Sequence, residues 1–340
     1  MSPKNAAFLA GGGIRVDYLI TREGKAHSDK VGGNAIYAAV GAAIWSDYVS
    51  VWGRIGENYP REWIANLADL GISGRGIKRI QGDHDHRTFY AYQTDGSRDD
   101  TQPEKHYHRI GLPMPKSLVG YRDSTPSQDD PDVFEPLALR KEDWSENFQG
   151  VSVVHLAPLP LRTHMDLAPF LRDLGIEQIT VDPGERYMRP NLAKYLQRFL
   201  PYVDVFLPSV QEMRSLFGPN ASMIDSAKTL GEWGAKRIVI KRGSHGVSLF
   251  QRDWDHFVHL APFHDKGDRR IIDVTGAGDS FCGGFMVGLS RQKGMEYAAK
   301  LGLVSASLTI EGYGALHPLQ TSQQEKWSRL RTLENQSTSG

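Results

Sequence analysis

The sequence predicts an α/β fold with a mainly parallel central sheet and helices on both faces. Three observations predict it. From Val151 onward, short apolar runs alternate with stretches of helical period, the rhythm of parallel strands joined by covering helices. Glycines sit at the strand-to-helix turns, as in "VGGNA", "VDPGER" and "DVTGAGD". The chain has 340 residues, 40% of them hydrophobic, so it can bury the core such a sheet requires.

The elements follow in order. "AAFLAGG" (6–12) reads as a short buried strand, and "DYLITREGKAHSDKVGG" as an exposed hairpin. "NAIYAAVGAAIW" (34–45) is Ala-rich and reads as a buried helix. "YVSVWGRIG" is a strand, and "PREWIANLADLG" is a helix with Pro at its start and Gly after its end. "RTFYAYQTDG" (87–96) alternates as strands do. The stretch 97–147, rich in Asp, Pro, Arg and His, has weak periodicity and reads as an insertion or part of a lid. After it come strand "VSVVHLAP", helix "THMDLAPFLRDLG", strand "QITVDPG", helix "RPNLAKYLQRFL", strand "VDVFLPS", helices "VQEMRSLFG" and "SAKTLGEWG", and strand "KRIVIKRG". "HGVSLF" and "HFVHLAP" add strands, and "DSFCGGFMVGLS" and "MEYAAKLGLVSASLTI" add helices. Residues 321–340 read as a polar C-terminal tail, frayed over "ENQSTSG".

Composition narrows the function. Lys plus Arg equals Asp plus Glu at 40 each, without the one-sided charge of a nucleic-acid or anionic-membrane binder. The one cysteine, Cys282, allows no intrachain disulfide and no Cys-based zinc site; it reads as a buried structural thiol. No apolar run of membrane-spanning length appears, and "MSPKNAAFLAGGG" lacks the apolar core of a signal peptide. A cytoplasmic location is expected. The pairs His84/His86 and His106/His108 would share a face on strands, but no carboxylate or Cys framework completes a metal site. "GGG" near the start is not the G-x-G-x-x-G of a dinucleotide-binding oxidoreductase.

The chemistry concentrates in "GAGD". Gly276 and Gly278 permit close backbone approach, and the amides at the start of the following helix form an anion nest. Asp279 beside that nest is placed to take a proton from an attacking hydroxyl. "DVTGAGDSF" (273–281) resembles the carboxy-terminal signature of the PfkB (ribokinase-like) family of carbohydrate and nucleoside kinases. "VGGNAIYAAVGA" (31–42) resembles its amino-terminal signature, with Tyr37 where the family carries Asn.

The resemblance implies a ribokinase-like three-layer α/β/α fold with a small β lid. The kinase domain would span 1–320, with lid segments at about 14–31 and 84–110. It implies Asp279 as the base, and Gly276, Ala277 and Gly278 as the anion hole. The acceptor would meet Asp17, Gly32, Gly33 and Asn34. ATP and Mg2+ would meet Ser209, Glu212, Lys241, Gly243 and Gly246, with Glu212 reaching the metal through water and Ser209 replacing the family's Asn. Asp273 and Thr275 would bind a monovalent cation such as K+. Asp182 and Arg186 are second-rank candidates, and Arg242 would add phosphate charge or simply be solvated.

The expected reaction is ATP-dependent phosphorylation of a hydroxyl on a sugar or sugar-like small molecule. A nucleoside kinase on the same fold, and a non-catalytic binding or regulatory relative, are the alternatives. A homodimer through the lid is expected by analogy.

Overall fold

A computed structural model describes residues 7–93, 97–122 and 127–336. Its strands are β1 (Ala7–Gly11), β2 (Arg15–Ile20), β3 (Ala26–Gly32), β4 (Val49–Ile55), β5 (Ile72–Arg79), β6 (Arg87–Tyr92), β7 (Arg98–Asp99), β8 (Val151–Leu156), β9 (Gln178–Val181), β10 (Val205–Phe206), β11 (Arg237–Lys241), β12 (Val247–Gln251) and β13 (Val258–Leu260). Its helices are α1 (Asn34–Ala43), α2 (Arg61–Asp69), α3 (Pro103–Arg109), α4 (Leu161–Asp173), α5 (Ala193–Phe199), α6 (Val210–Phe217), α7 (Met223–Glu232), α8 (Ala277–Ser290), α9 (Met295–Thr309) and α10 (Gln323–Gln336).

Nine strands form the large sheet in the order β13-β12-β11-β10-β9-β8-β1-β4-β5. From β11 through β5 every pairing is parallel; β12 and β13 are antiparallel additions. Two apolar clusters cover its two faces. One joins Val51, Val153 and Val239 to residues of α1, α8 and α9. The other joins Leu9, Val154 and Ile238 to residues of α4, α5, α6 and α7. This is the three-layer arrangement that the strand–helix alternation predicts.

A second sheet, β3-β2-β6-β7, has its own small core of Tyr18, Ile20, Phe89 and Ala91. It is mixed: β2 pairs antiparallel with β3 and parallel with β6. The segment expected to be an exposed hairpin is therefore buried on both faces along β2 and exposed only in part along β3. Asp17, Tyr18 and Leu19 are all buried, because the hairpin packs on β6 and, through Tyr18, on Tyr107 and Leu118.

The stretch 97–147 is tied to both sheets. It contributes Tyr107 and Leu118 to the small sheet's core, and Leu139 to the large one. Asp143, fully buried, holds Arg54 of β4 at 2.6 Å and Lys78 of β5 at 2.8 Å. Residues 94–96 of the predicted 87–96 strand lie outside the described residues.

Four elements escape the sequence reading, among them the two-residue β7. Strand β5 (ISGRGIKR) has two glycines and three basic residues; it is an edge strand, where such residues discourage further pairing. Helix α3 is short and lies in the segment of weak periodicity. Helix α10 occupies the region expected to be a polar tail, because Leu330 and Leu333 anchor it in the core and Lys326 and Arg329 are buried with them. Residues 337–340 of the expected frayed end lie outside the described residues. The histidine pairs are not on strands either. His84 and His86 precede β6 in a loop, and His106 and His108 lie on α3. His86 spends both ring nitrogens on backbone, at Gly56 N (3.0 Å) and Ile14 O (3.4 Å). Among the described residues, no helix is long and apolar enough to cross a membrane.

Candidate active site

The carboxyl ends of the parallel strands converge on one cavity of about 750 Å³. Gly13 follows β1, Pro158 follows β8, Asp182 follows β9, Glu212 lies in the helix after β10, and Lys241 ends β11. The small sheet supplies the opposite wall with Asp17, Thr88, Tyr90 and Tyr92. Its volume lies within the range of about 300–1,000 Å³ usual for small-molecule sites.

At one end stands the start of α8. Gly276 caps it at φ 72°, a left-handed conformation that favours glycine. A Cβ there would also stand 2.1 Å from the Tyr37 ring. The first amides of a helix have no intrahelical partner; Ala277 N turns back to Val274 O at 3.3 Å, while Gly278 lines the cavity at the positive dipole end. Asp279, in that first turn, lines the cavity. Its carboxyl is pushed up to about 8, mainly by burial and then by the neighbouring Asp182; Lys241 opposes the shift, Asp17 adds to it, and Arg98 opposes it. A base with that affinity holds a proton well once it has taken one.

Behind Asp279 lies a charged cluster. Lys241 pairs with Asp182, whose other carboxylate oxygen is buried with no partner among the described residues. Burial alone would lower the Lys241 ammonium; Asp182, Cys282 and Glu212 together outweigh it and hold the group well above its usual value. Glu212 is pushed up to about 7, chiefly by burial, with Lys241 opposing. Cys282 is buried beneath, its thiol 3.5 Å from Asp182 and pushed up by burial.

At the other end, Asp17 accepts from Thr88 Oγ1 at 2.6 Å and from Tyr37 Oη at 3.4 Å. Burial pushes its carboxyl up to about 6, against the pull of those two donors. Gly32 makes the room: a Cβ on it would lie 1.9 Å from Asp17 Oδ2. Gly33, at φ 95°, would meet Gly13 O at 2.4 Å. Tyr37, Tyr90, Tyr92 and Tyr121 line the same cavity.

The expected site residues thus fall into two groups. Asp17, Gly33, Asn34, Glu212, Lys241, Thr275, Gly276, Ala277, Gly278 and Asp279 all line the cavity, as do Asp182 and Arg186. Asn34 spends its carboxamide on backbone, accepting from Gly13 N at 2.7 Å and donating to Pro158 O at 2.6 Å. Gly32, Ser209, Asp273, Gly243 and Gly246 are not among the lining residues. Ser209 is the N-cap of α6 in a reciprocal box with Glu212. Asp273 accepts from Thr275 N at 2.9 Å. Gly246 lies against Leu260 O, 2.0 Å from where its Cβ would stand.

Sequence reasoning missed Arg15, Thr88, Tyr90, Tyr92, Arg98 and Tyr121. Tyr92 Oη lies 2.9 Å from Thr275 Oγ1, joining the small sheet to the loop before α8. Arg98 lies over the Tyr90 ring at 4.8 Å. The alternation of "RTFYAY" was the available signal: Thr88, Tyr90 and Tyr92 occupy alternate positions on one face of β6.

The fold is of ribokinase-like architecture, an α/β sheet with a small second sheet across the site. Residues 147–322 match the model of the pfkB family of carbohydrate kinases. The chain belongs to that family and is a sugar or nucleoside kinase by that membership. A cytidine kinase of Thermococcus kodakarensis is 27% identical over 307 residues, covering 89% of this chain and 95% of the relative. Among solved structures, Arabidopsis thaliana ribokinase complexed with ribose and ATP superposes with a TM-score of 0.68 at 17% identity, covering 96% of this chain and 99% of that one. The nucleoside kinase of Burkholderia thailandensis, in complex with inosine, gives 0.68 at 16% identity, covering 96% and 98%.

Proposed function

We propose that the protein transfers the γ-phosphoryl group of ATP to a hydroxyl of a nucleoside. One observation carries the choice of acceptor: Asp17 and Asp279 share a cavity with Tyr37, Tyr90, Tyr92 and Tyr121. A carboxylate accepts from adjacent ribose hydroxyls, and flat aromatic walls offer a base the stacking that a bare sugar leaves unused. The 27% identity to a cytidine kinase over nearly its whole length supports the same choice. The sequence alone ranks a sugar first; the tyrosine wall reverses that order.

In this reading Asp279 takes the proton of the acceptor hydroxyl as it attacks phosphorus. The amides at the start of α8, Gly278 foremost, stabilise charge developing on the transferred group together with Lys241. Arg98, on the small sheet, adds a second cation. Asp182 holds Lys241 in place. The small sheet acts as the lid, and its closure excludes water as a competing acceptor.

The unpartnered Asp182 oxygen and the Glu212 carboxylate are hard oxygen donors that suit magnesium. They would hold that ion directly or through water, and the ion would neutralise phosphate charge. Asp273 and Thr275 would hold a potassium ion.

The test is ADP release with ATP, magnesium and potassium against cytidine, uridine, inosine, adenosine, ribose and gluconate. Turnover confined to ribose or gluconate would overturn the nucleoside reading. No turnover with any acceptor would favour a non-catalytic role.

A further inference from the structure

Arg15 lies two residues before Asp17 on β2, so both side chains leave the same face of the strand about 7 Å apart along it. Both line the cavity. Gly13 leaves space for the guanidinium, since a Cβ there would stand 3.3 Å from Arg15 Nε.

Among the described residues, no carboxylate forms an ion pair with Arg15. Its one side-chain hydrogen bond there runs from Nη1 to Asp85 O at 3.4 Å, long for an N–H···O bond. The nearby carboxylates are engaged elsewhere. Asp85 is held by Arg87 at 2.6 and 2.8 Å, and Asp17 by Thr88 and Tyr37. A guanidinium has five donors. The donors that Asp85 O does not take up are therefore open to a ligand's acceptors in the cavity.

We infer that Arg15 is the specificity residue of the acceptor pocket, and that it binds a carbonyl oxygen of the nucleobase whose ribose Asp17 holds. This rests on the nucleoside reading. The substrate class is then nucleosides with an oxo base, such as cytidine, uridine and inosine. Adenosine is disfavoured, because adenine has no exocyclic oxygen and accepts only through ring nitrogens. Burial draws the guanidinium below its usual value, which adds to the gain when a ligand oxygen meets it.

The experiment compares kcat/KM for cytidine, uridine, inosine and adenosine in the wild type, Arg15→Met and Arg15→Lys. ATP affinity and thermal unfolding serve as controls. The wild type should favour the oxo nucleosides over adenosine by roughly 10- to 100-fold, the scale of a lost hydrogen bond to a charged donor. Arg15→Met should lower kcat/KM for the oxo nucleosides at least about tenfold more than for adenosine, with Arg15→Lys in between. Equal losses for cytidine and adenosine, or a wild type that prefers adenosine, would overturn the inference and leave the nucleoside reading standing. Turnover of gluconate without any nucleoside would overturn both, and assign Arg15 to a carboxylate. Should Arg15→Met fail to fold, the wild-type ratio and Arg15→Lys carry the test.

Discussion

Gly32 and Asp17 are complementary in shape: the Asp17 carboxylate occupies the place a side chain at Gly32 would take, with Oδ2 1.9 Å from that Cβ position. The two residues sit on adjacent strands of the small sheet, near the turn into α1. Gly32 therefore acts on the site although it does not line it. Gly32→Ala should push Asp17 off Thr88 and Tyr37. The acceptor KM should rise at least about tenfold, the scale of a displaced charged hydrogen-bond acceptor. ATP affinity should hold, because the α8 end is untouched. Steady-state kinetics with each substrate varied in turn checks this; an unchanged acceptor KM would remove Asp17 from the acceptor site.

Asp279 should give a double signature. Its carboxyl, pushed up to about 8, must be deprotonated to act as a base. The wild-type kcat/KM should rise with pH up to about that value. Asp279→Asn should bind ATP yet lose roughly 10²–10⁴ in kcat, and its residual rate should lack that rise.

Stability should move the other way. The folded value lies above the unfolded one, so the native state keeps a proton that the unfolded chain gives up. The group's contribution to stability therefore falls as pH rises from about 4 to about 8. The α8 dipole favours the charge by up to about 2 kcal/mol, less than the burial that raises it. Asp279→Asn should unfold at a higher temperature than the wild type at pH 8, with the gap closing toward pH 4. A gap that is constant across this range would show that Asp279 titrates normally.

The large sheet was legible in the sequence because its strands are apolar runs, α4, α6 and α7 bury one face each, and α1, α8 and α9 are small-residue or apolar helices buried nearly all round. The α8 end was legible for another reason. An anion nest needs glycine and a helix start, and both are local in sequence. The acceptor end is assembled from β2, α1, β6 and the 97–147 stretch, whose residues meet only through tertiary packing. Tyr90 and Tyr92 look like any strand aromatics until the cavity lies on one side of them. Asn34 shows the converse. Its place after the glycines suggests a substrate contact, whereas its carboxamide ties Gly13 to Pro158.

Weak periodicity hid the role of the 97–147 stretch, which is held by charge as well as by apolar packing. Asp143 is buried at the meeting of Arg54 and Lys78, and Arg54 Nη1 also donates to Pro136 O at 3.2 Å. Pro136 and Ala138 line the acceptor cavity. Asp143→Ala would strand the Arg54 charge in the interior, which costs about 3–5 kcal/mol when one partner of a buried pair is removed. A fall in unfolding temperature of roughly 5 °C or more should follow. Burial pushes the Asp143 carboxyl up, but Arg54 and Lys78 pull it down further, to below its usual value. Its stabilising contribution is therefore present above about pH 4 and lost as pH falls below that. Asp143→Ala should accordingly differ most from the wild type at neutral pH and converge with it in acid. With Pro136 freed, the acceptor KM should rise while ATP affinity stays. A variant as stable as the wild type at pH 7, with an unchanged acceptor KM, would show that the stretch is an appendage rather than a wall of the site.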